Sequence, residues 1–472
     1  MMEDLIKAYE DRGVKFWVEN GQLKFKAPSG TLNAEDKVKL RNVKEKLIEY
    51  YERKDKSALK ADLSKRYEPF PLTGIQSAYL LGRNHNYEYG GVGCHAYFEL
   101  SMPHMDAERL ESAWHKVIMR HDMLRAVFLQ NGTQKILEHV DLPKLTYFNM
   151  KEAGAETTDS KLNEIRAELA HKQYQADCWP LFDLYLTDTI DKSILHFSID
   201  MLLSDFISMK TILNDLDAFY YEDGKNLKPL QVSFRDVLVY QKEHENDEEV
   251  RTKKDRDCEY WKKRLQNFPD APELPILPES KCEKVTFTQY RHFITPENWS
   301  KLCEKARMQR LTPSGVVLSA YAEIIGRWSK RKDFCIDITI LNRPSIHSQI
   351  NEIVGDFTEV DILEISPEYP SNFVERTRKI QNQLWEDLSH SAFTGIDVLR
   401  EINRQSEKKA IIPVVYTSTV GAADSEQQEN WEFMRNSRIT YKISQTPQVW
   451  IDCQVSVSYT HLRAHETLAN LV

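Results

Sequence analysis

Two aspartates, Asp200 and Asp205, stand five residues apart in the run "HFSIDMLLSDFIS" of residues 196–208. Two carboxylates this close can act as acid and base, ligate a metal ion, or brace a fold. Their apolar surroundings make each costly to bury unless something pairs with it. No histidine lies between them, and the next basic residue is Lys210. On a helix, positions five apart are rotated roughly 140° from each other, which is poor geometry for one ion. Catalyst, metal ligand and strut all stay open on this run alone.

Other reactive residue types are less suggestive. "GGVGCH" (90–95) is glycine-rich but lacks the Lys-Ser/Thr of a phosphate loop. Cys94 and His95 are adjacent in a strand pattern, so their side chains point to opposite faces and cannot couple as nucleophile and base. His121 in "RHDMLR" ends a helical pattern, the place of a capping or core histidine. Seven cysteines, at 94, 178, 258, 282, 303, 335 and 453, form no CxxC pair. Reduced thiols are the expectation, with neither disulfide nor zinc site.

The elements that must position such groups alternate between two periods. "CHAYFEL" (94–100), "LFDLYLTD" (181–188), "DFCIDITIL" (333–341) and "IIPVVYTST" (411–419) read as strands. "DAERLESAWHKVIMRH" (106–121) puts Leu110, Trp114, Val117 and His121 on one helical face. Thr312 followed by Pro313 marks the start of a helix running to about Trp328. This is an α/β chain without repeats. Its 472 residues suffice for two or three packed units, and its net charge of −9 speaks against nucleic acid as a partner. No apolar run approaches the ~20 residues that span a bilayer. The charged N-terminus "MMEDLIKAYEDRG" has no signal-peptide core, so a cytoplasmic protein without a membrane partner is expected.

Residues 1–51 read as a small α-β-β-α unit. Leu5, Ile6 and Tyr9 mark a short helix, and Val14, Phe16 and Val18 alternate with polar neighbours. Asn20-Gly21 supplies a hairpin turn into Leu23 and Phe25. After Pro28-Ser-Gly30, Leu40, Val43, Leu47 and Tyr50 recur at helical spacing. The stretch "GVKFWVENGQLKFKAPSG" and the helix after it resemble the N-terminal docking domains of the tubulysin-synthetase type. That resemblance implies capture of the C-terminal tail of an upstream synthase subunit on the hairpin edge, with Lys15, Lys24 and Lys26 suited to an acidic tail. The charged residues 52–68 read as a linker.

From there the chain carries a series of stretches in order: "FPLTGIQSAYLLGR" (70–83), "AWHKVIMRHDMLR" (113–125), "HFSIDMLLSDFIS" (196–208), "YWKKRLQNFPDAPELPIL" (260–277), "ITILNRP" (338–344), "VGDFTEV" (354–360), "PVVYTS" (413–418) and "ISQTPQVWIDCQV" (443–455). Together they resemble the heterocyclization domain of nonribosomal peptide synthetases, a branch of the condensation-domain superfamily. The resemblance implies an α/β fold of two chloramphenicol-acetyltransferase-like lobes arranged as a V-shaped pseudo-dimer. The N-lobe would occupy 69–245 and the C-lobe 246–455. Ordinary condensation domains carry His-His-x-x-x-Asp-Gly where this chain has the Asp200-x4-Asp205-x2-Ser208 pattern of the cyclizing branch.

The implied reaction joins a carrier-bound acyl thioester to a carrier-bound cysteine, serine or threonine. The side-chain thiol or hydroxyl then adds to the new amide carbonyl, and loss of water leaves a thiazoline or oxazoline. Condensation alone, or an inert docking scaffold, are the alternatives. By resemblance Thr417 and Asp452 are the pair implicated in cyclodehydration, and burial should push the Asp452 carboxyl upward. Asp200 and Asp205 belong to the site as further carboxylates, with Ser208, Arg343 and Gln445 as framework. At least one of the two aspartates is expected to pair with Arg343 of "LNRP". No cofactor or metal is implied: substrates would arrive on phosphopantetheine arms of upstream and downstream carrier proteins. After Val455 the pattern departs from the family, so 456–472 reads as a non-family tail without strand periodicity. The strand carrying Asp452 would then lose a neighbour.

Overall fold

The structure, a computed structural model, describes the chain apart from residues 1–5, 7–8, 10–12, 20–21, 28–35, 37–39, 41–42, 45–46, 49–58, 85–89, 277–284, 367–371, 406–410, 421–435, 459–460 and 470–472. Two compact units divide it, one of residues 1–61 with 343–351 and one of 62–342 with 352–472.

In the first unit, strands β1 (Lys15–Glu19) and β2 (Gln22–Lys26) form an antiparallel hairpin that pairs Phe16 with Phe25 and Trp17 with Lys24. Period-2 alternation turns Val14 and Phe16 inward, where they pack with Ile6, Tyr9, Leu40 and Leu47. Tyr9 meets Phe16 edge-on at 5.9 Å. Trp17 and Phe25 remain exposed at 42% and 48%. The expected Leu5, Tyr50, Asn20-Gly21 turn and Pro28–Gly30 break lie outside the described residues.

The second unit holds two sheets with helices on their faces. Strands β3 (Phe70–Pro71), β4 (His95–Met102), β5 (Ala126–Phe128), β6 (Thr133–Ile136), β7 (Thr146–Asn149), β8 (Phe182–Asp188) and β9 (Ser193–Asp200) come first. β10 (Phe287–Ile294), β11 (Phe334–Leu341), β12 (Thr358–Ile365), β13 (Val414–Ser418), β14 (Arg438–Gln445), β15 (Ile451–Ser458) and β16 (His461–Ala469) follow. One sheet has the order β14-β4-β9-β8-β7, the other β10-β16-β15-β13-β11-β12, and β3-β6-β5 form a small third. Every residue of β9 is buried, so its alternating polar residues His196, Ser198 and Asp200 are enclosed as well. Strand β14 comes late in the chain yet hydrogen-bonds to β4 of the first sheet.

The helices follow their sequence signals. Ala107–Arg120 buries Leu110, Trp114 and Val117, and Trp114 stands edge-on to Phe182 and Phe197. His121 caps that helix and bonds Asp215 at 2.8 Å, a structural role as its position suggested. Helix Pro313–Trp328 starts with Thr312 accepting from the Gly315 N–H, and its apolar face joins Ile336, Ile338, Val414, Tyr416, Ile451 and Cys453 in the core. A second cluster, with Trp261, Leu265 and Val398, covers Cys335 and Ile362 on the other face of the sheet. No described helix is long and apolar enough to cross a membrane.

Two features depart from the sequence reading. Part of the charged linker is bound: Arg66 makes a fork of bonds to Asp122 at 2.6 and 2.9 Å, and the Glu68 carbonyl accepts from Arg235. The tail does form a strand, β16, which pairs with β15 on one side and β10 on the other. A ladder is built from main-chain donors and acceptors, so a segment reaching an open edge can pair without an alternating pattern. β15, which carries Asp452, therefore has partners on both edges.

Candidate active site

Alternation on three adjacent strands creates the site. Ile336, Ile338, Val414, Tyr416, Ile451 and Cys453 point into the core, so their neighbours Asp337, Thr339, Val415, Thr417, Asp452 and Gln454 share the opposite face. Register sets them in two rows. Thr339, Thr417 and Gln454 lie across β11, β13 and β15, and so do Asp337, Val415 and Asp452. Thr417 and Asp452 are thus diagonal neighbours on parallel strands.

The expected pair meets. Thr417 Oγ1 donates to Asp452 Oδ1 at 3.3 Å, and Thr339 Oγ1 lies 2.8 Å behind it from Thr417 Oγ1. Gln454 Nε2 donates to Asp452 Oδ2 at 2.5 Å and to Ser444 Oγ at 2.8 Å, linking the carboxylate to β14 of the other sheet. Asp452 is 8% exposed. Burial pushes its carboxyl up to about 6, against the opposing pull of the Gln454 and Thr417 bonds and of Lys442.

Sequence reasoning missed the second carboxyl on this face. Asp337 has its Oδ1 enclosed without a hydrogen-bond partner among the described residues. Burial, then the charge of Asp452, push it up to about 8, with the Ile338 N–H opposing. The available signal was a lone acid in the apolar strand "FCIDITIL", the same kind that marked Asp452. Thr339 and Gln454 carried no such mark, because a strand threonine and a strand glutamine are ordinary on a half-polar face.

Asp200 and Asp205 separate from this pair and from each other. Asp200 ends β9 and is completely buried. Its arginine is Arg83 of "FPLTGIQSAYLLGR", bound through Nη2, while Arg83 Nη1 donates to the Tyr174 carbonyl at 2.7 Å. Burial raises the Asp200 carboxyl, opposed by Arg83 and the Leu202 N–H. Asp205 caps helix Phe206–Glu222, accepting from the Ser208 N–H at 2.6 Å. Ser208 Oγ donates to the Gly355 carbonyl at 2.8 Å and accepts from the Gly355 N–H at 3.0 Å, joining this helix to the "VGDFTEV" loop. A Cβ on Gly355 would come within 2.3 Å of the buried Phe234 ring, so the loop can pack against that ring only with glycine there.

Gln445 bridges two segments: Nε2 donates to the Gly93 carbonyl at 3.1 Å, and Oε1 faces His171 Nδ1 at 3.1 Å. Arg343 donates from Nη1 to the Ile350 carbonyl at 2.7 Å within the segment 343–351. Of the two aspartates, at least one of which is expected to pair with Arg343, Asp200 is held by Arg83. The earlier segment holds the buried end of β9, which the linear sequence places far from it. Cys94 and His95 diverge as expected, Cys94 toward Thr446 and His95 toward Ser198 at 2.8 Å. None of the six described cysteines is in a disulfide, and no group of His, Cys, Asp and Glu among the described residues is arranged for a metal ion.

These strand registers and motifs coincide with a known family: the Condensation domain matches residues 70–460. The chain belongs to the condensation-domain family. Ahead of that region, residues 2–53 match the TubC N-terminal docking domain. The solved cyclization-docking bidomain of the EpoB synthetase from Sorangium cellulosum superposes with a TM-score of 0.83 at 29% identity, covering 99% of this chain and 93% of that one. Pyochelin synthetase PchF of Pseudomonas aeruginosa is 35% identical over 455 residues, which is 96% of this chain and 25% of that protein. Phenyloxazoline synthase MbtB of Mycobacterium tuberculosis is 30% identical over 401 residues, 84% of this chain and 28% of that protein. The chain thus spans about a quarter of the length of these curated relatives. A docking domain followed by a condensation domain works with carrier proteins and partner synthetase subunits.

Proposed function

We propose that this condensation-family chain is a heterocyclization domain. It joins a carrier-bound acyl or peptidyl thioester to a carrier-bound cysteine, serine or threonine and cyclodehydrates the product to a thiazoline or oxazoline. The observation that carries this reading is the hydrogen-bonded Thr417–Asp452 pair on the polar face of the six-stranded sheet. The likeness to a cyclization-docking bidomain over nearly the whole of both chains supports it.

The chemistry asks for such a pair. The amine of the acceptor attacks the thioester carbonyl and expels the donor's pantetheine thiol. The acceptor's side-chain thiol or hydroxyl then adds to the amide carbonyl, forming a ring with a hydroxyl on the former carbonyl carbon. Expelling that hydroxyl needs a proton delivered to it and one removed from the ring nitrogen. Asp452 is a carboxyl that changes protonation near neutrality, and Thr417 orients one of its oxygens. Ser208, Gln445 and Arg83 with Asp200 hold the surrounding segments, and Asp205 caps the helix beneath.

No cofactor of the domain's own enters this reading, since the substrates ride on the phosphopantetheine arms of upstream and downstream carriers in the cytoplasm. The C-terminal tail of an upstream subunit would add as a strand to the β1–β2 hairpin, where exposed Trp17 and Phe25 offer apolar contact. Cysteine is the favoured acceptor on chemical grounds, thiolate being the stronger nucleophile.

The test incubates the chain with an acyl-loaded donor carrier and a cysteinyl-loaded acceptor carrier, followed by mass analysis of the acceptor. Amide minus one water supports heterocyclization, amide alone means condensation only, and no transfer leaves a docking scaffold. Asp452→Asn is expected to accumulate amide, with dehydration slowed about 10²–10⁴-fold. Dehydration at the wild-type rate would remove Asp452 from the mechanism.

A further inference from the structure

The polar face of the six-stranded sheet carries two carboxyls treated in opposite ways. Asp452 receives two donors, Thr417 on Oδ1 and Gln454 on Oδ2. Asp337, two strands away in the same row, has an enclosed Oδ1 that receives none among the described residues. Donors stabilise a carboxylate, whereas a carboxyl with one enclosed oxygen left without a donor holds its proton more tightly. Two strand spacings put their Cα atoms about 10 Å apart. An atom seated over Val415 between them is within reach of both.

We propose that Asp337 and Asp452 share the dehydration as a divided pair, Asp337 supplying the proton and Asp452 receiving one, with Gln454 as the positioning residue that keeps Asp452 ionised. The proposal rests on the heterocyclization reading and adds to it a second catalytic carboxyl and its control. In the step, the Asp337 O–H transfers its proton to the ring hydroxyl as the C–O bond breaks, releasing water. The ring nitrogen's proton passes to the Asp452 carboxylate as the C=N bond forms. The pair ends with Asp337 ionised and Asp452 protonated, and passage of that proton back to Asp337 restores the starting state. That return is downhill, because Asp337 is held near 8 and Asp452 near 6. The other charge acting on the pair from its own face is Lys442 of β14, on Asp452; Asp361 of β12, paired with Ile338 and so on the opposite face, interacts with Asp337 through the sheet. Two carboxyls whose surroundings push them apart are a recurring way to divide acid and base duties.

The test measures the rate of water loss from the condensed, carrier-bound product between pH 5.5 and 9 for wild type, Asp337→Asn and Gln454→Leu in the full chain. Wild type should give a bell, falling on the acid side as Asp452 protonates and on the alkaline side as Asp337 ionises. Asp337→Asn should lose the alkaline limb and about 10²-fold or more in rate. Gln454→Leu should move the acid limb upward by about one pH unit, the share of one charge-assisted hydrogen bond. An unshifted limb in Gln454→Leu, or an intact alkaline limb in Asp337→Asn, overturns the divided pair while leaving heterocyclization standing. A wild-type chain that forms amide but loses no water at any pH instead overturns the heterocyclization reading itself.

Discussion

Replacing Arg83 by methionine leaves Asp200 buried with its cation gone. The carboxylate side chain is 1% exposed and the Arg83 side chain 11%, so water does not reach in to compensate. Among the described residues, the remaining donor to Asp200 is the Leu202 N–H at 3.0 Å on Oδ1. Removing one partner of such a pair costs about 3–5 kcal/mol, most of it the penalty of the stranded charge. The Tyr174 carbonyl loses its bond to Nη1 as well, adding about 1 kcal/mol. Asp200 already sits above its usual range because of burial, and without Arg83 it rises further. Its neutral form is then tolerated, so the loss relative to wild type should be largest near pH 8 and smaller near pH 5. Urea unfolding followed by tryptophan fluorescence at both pH values reads this directly. Arg83→Met/Asp200→Leu should recover much of the loss, since an apolar pair can replace a buried ion pair. A single-variant loss under about 1 kcal/mol at both pH values, or a double variant equal to the sum of the singles, would refute the reasoning.

Two further outcomes concern stability. Ser208→Ala leaves the Gly355 N–H and carbonyl without their Oγ partner and should cost about 1–3 kcal/mol, read as a lower urea midpoint. Asp337 is raised by burial from 3.8 to about 8, so the folded chain holds a proton that the unfolded chain releases. That contribution is fully present below about pH 4 and is lost as pH rises through about 8. Asp337→Asn should therefore flatten the fall in thermal midpoint over this range and gain stability at pH 8, on the order of a few kcal/mol.

Much of the molecule was legible residue by residue. Thr312-Pro313 started a helix where expected because a side-chain cap and a pre-set φ act locally. The hairpin of the first unit followed from alternation around Asn20-Gly21, and the sheet strands from their apolar runs. Family motifs led to Thr417 and Asp452, which do meet. The partner of Asp200 was not legible, because any of several arginines satisfies the sequence and only the packing of Arg83 against the end of β9 selects one. β16 was missed for a related reason: its pairing is main-chain and needs no side-chain pattern.

The sequence by itself determined the types of most elements and the family, since these depend on local periodicity and on ordered motifs. Tertiary structure alone decided the chemistry of each carboxyl. Asp200, Asp205, Asp337 and Asp452 are the same side chain, and what separates them is the company each keeps: a guanidinium, a helix N–H, an empty enclosure, or a threonine and a glutamine. That company is brought together by strand register and by β14 joining the other sheet. Proton affinity depends on burial and on neighbours within a few ångströms, and such neighbours lie up to a hundred residues or more away along the chain.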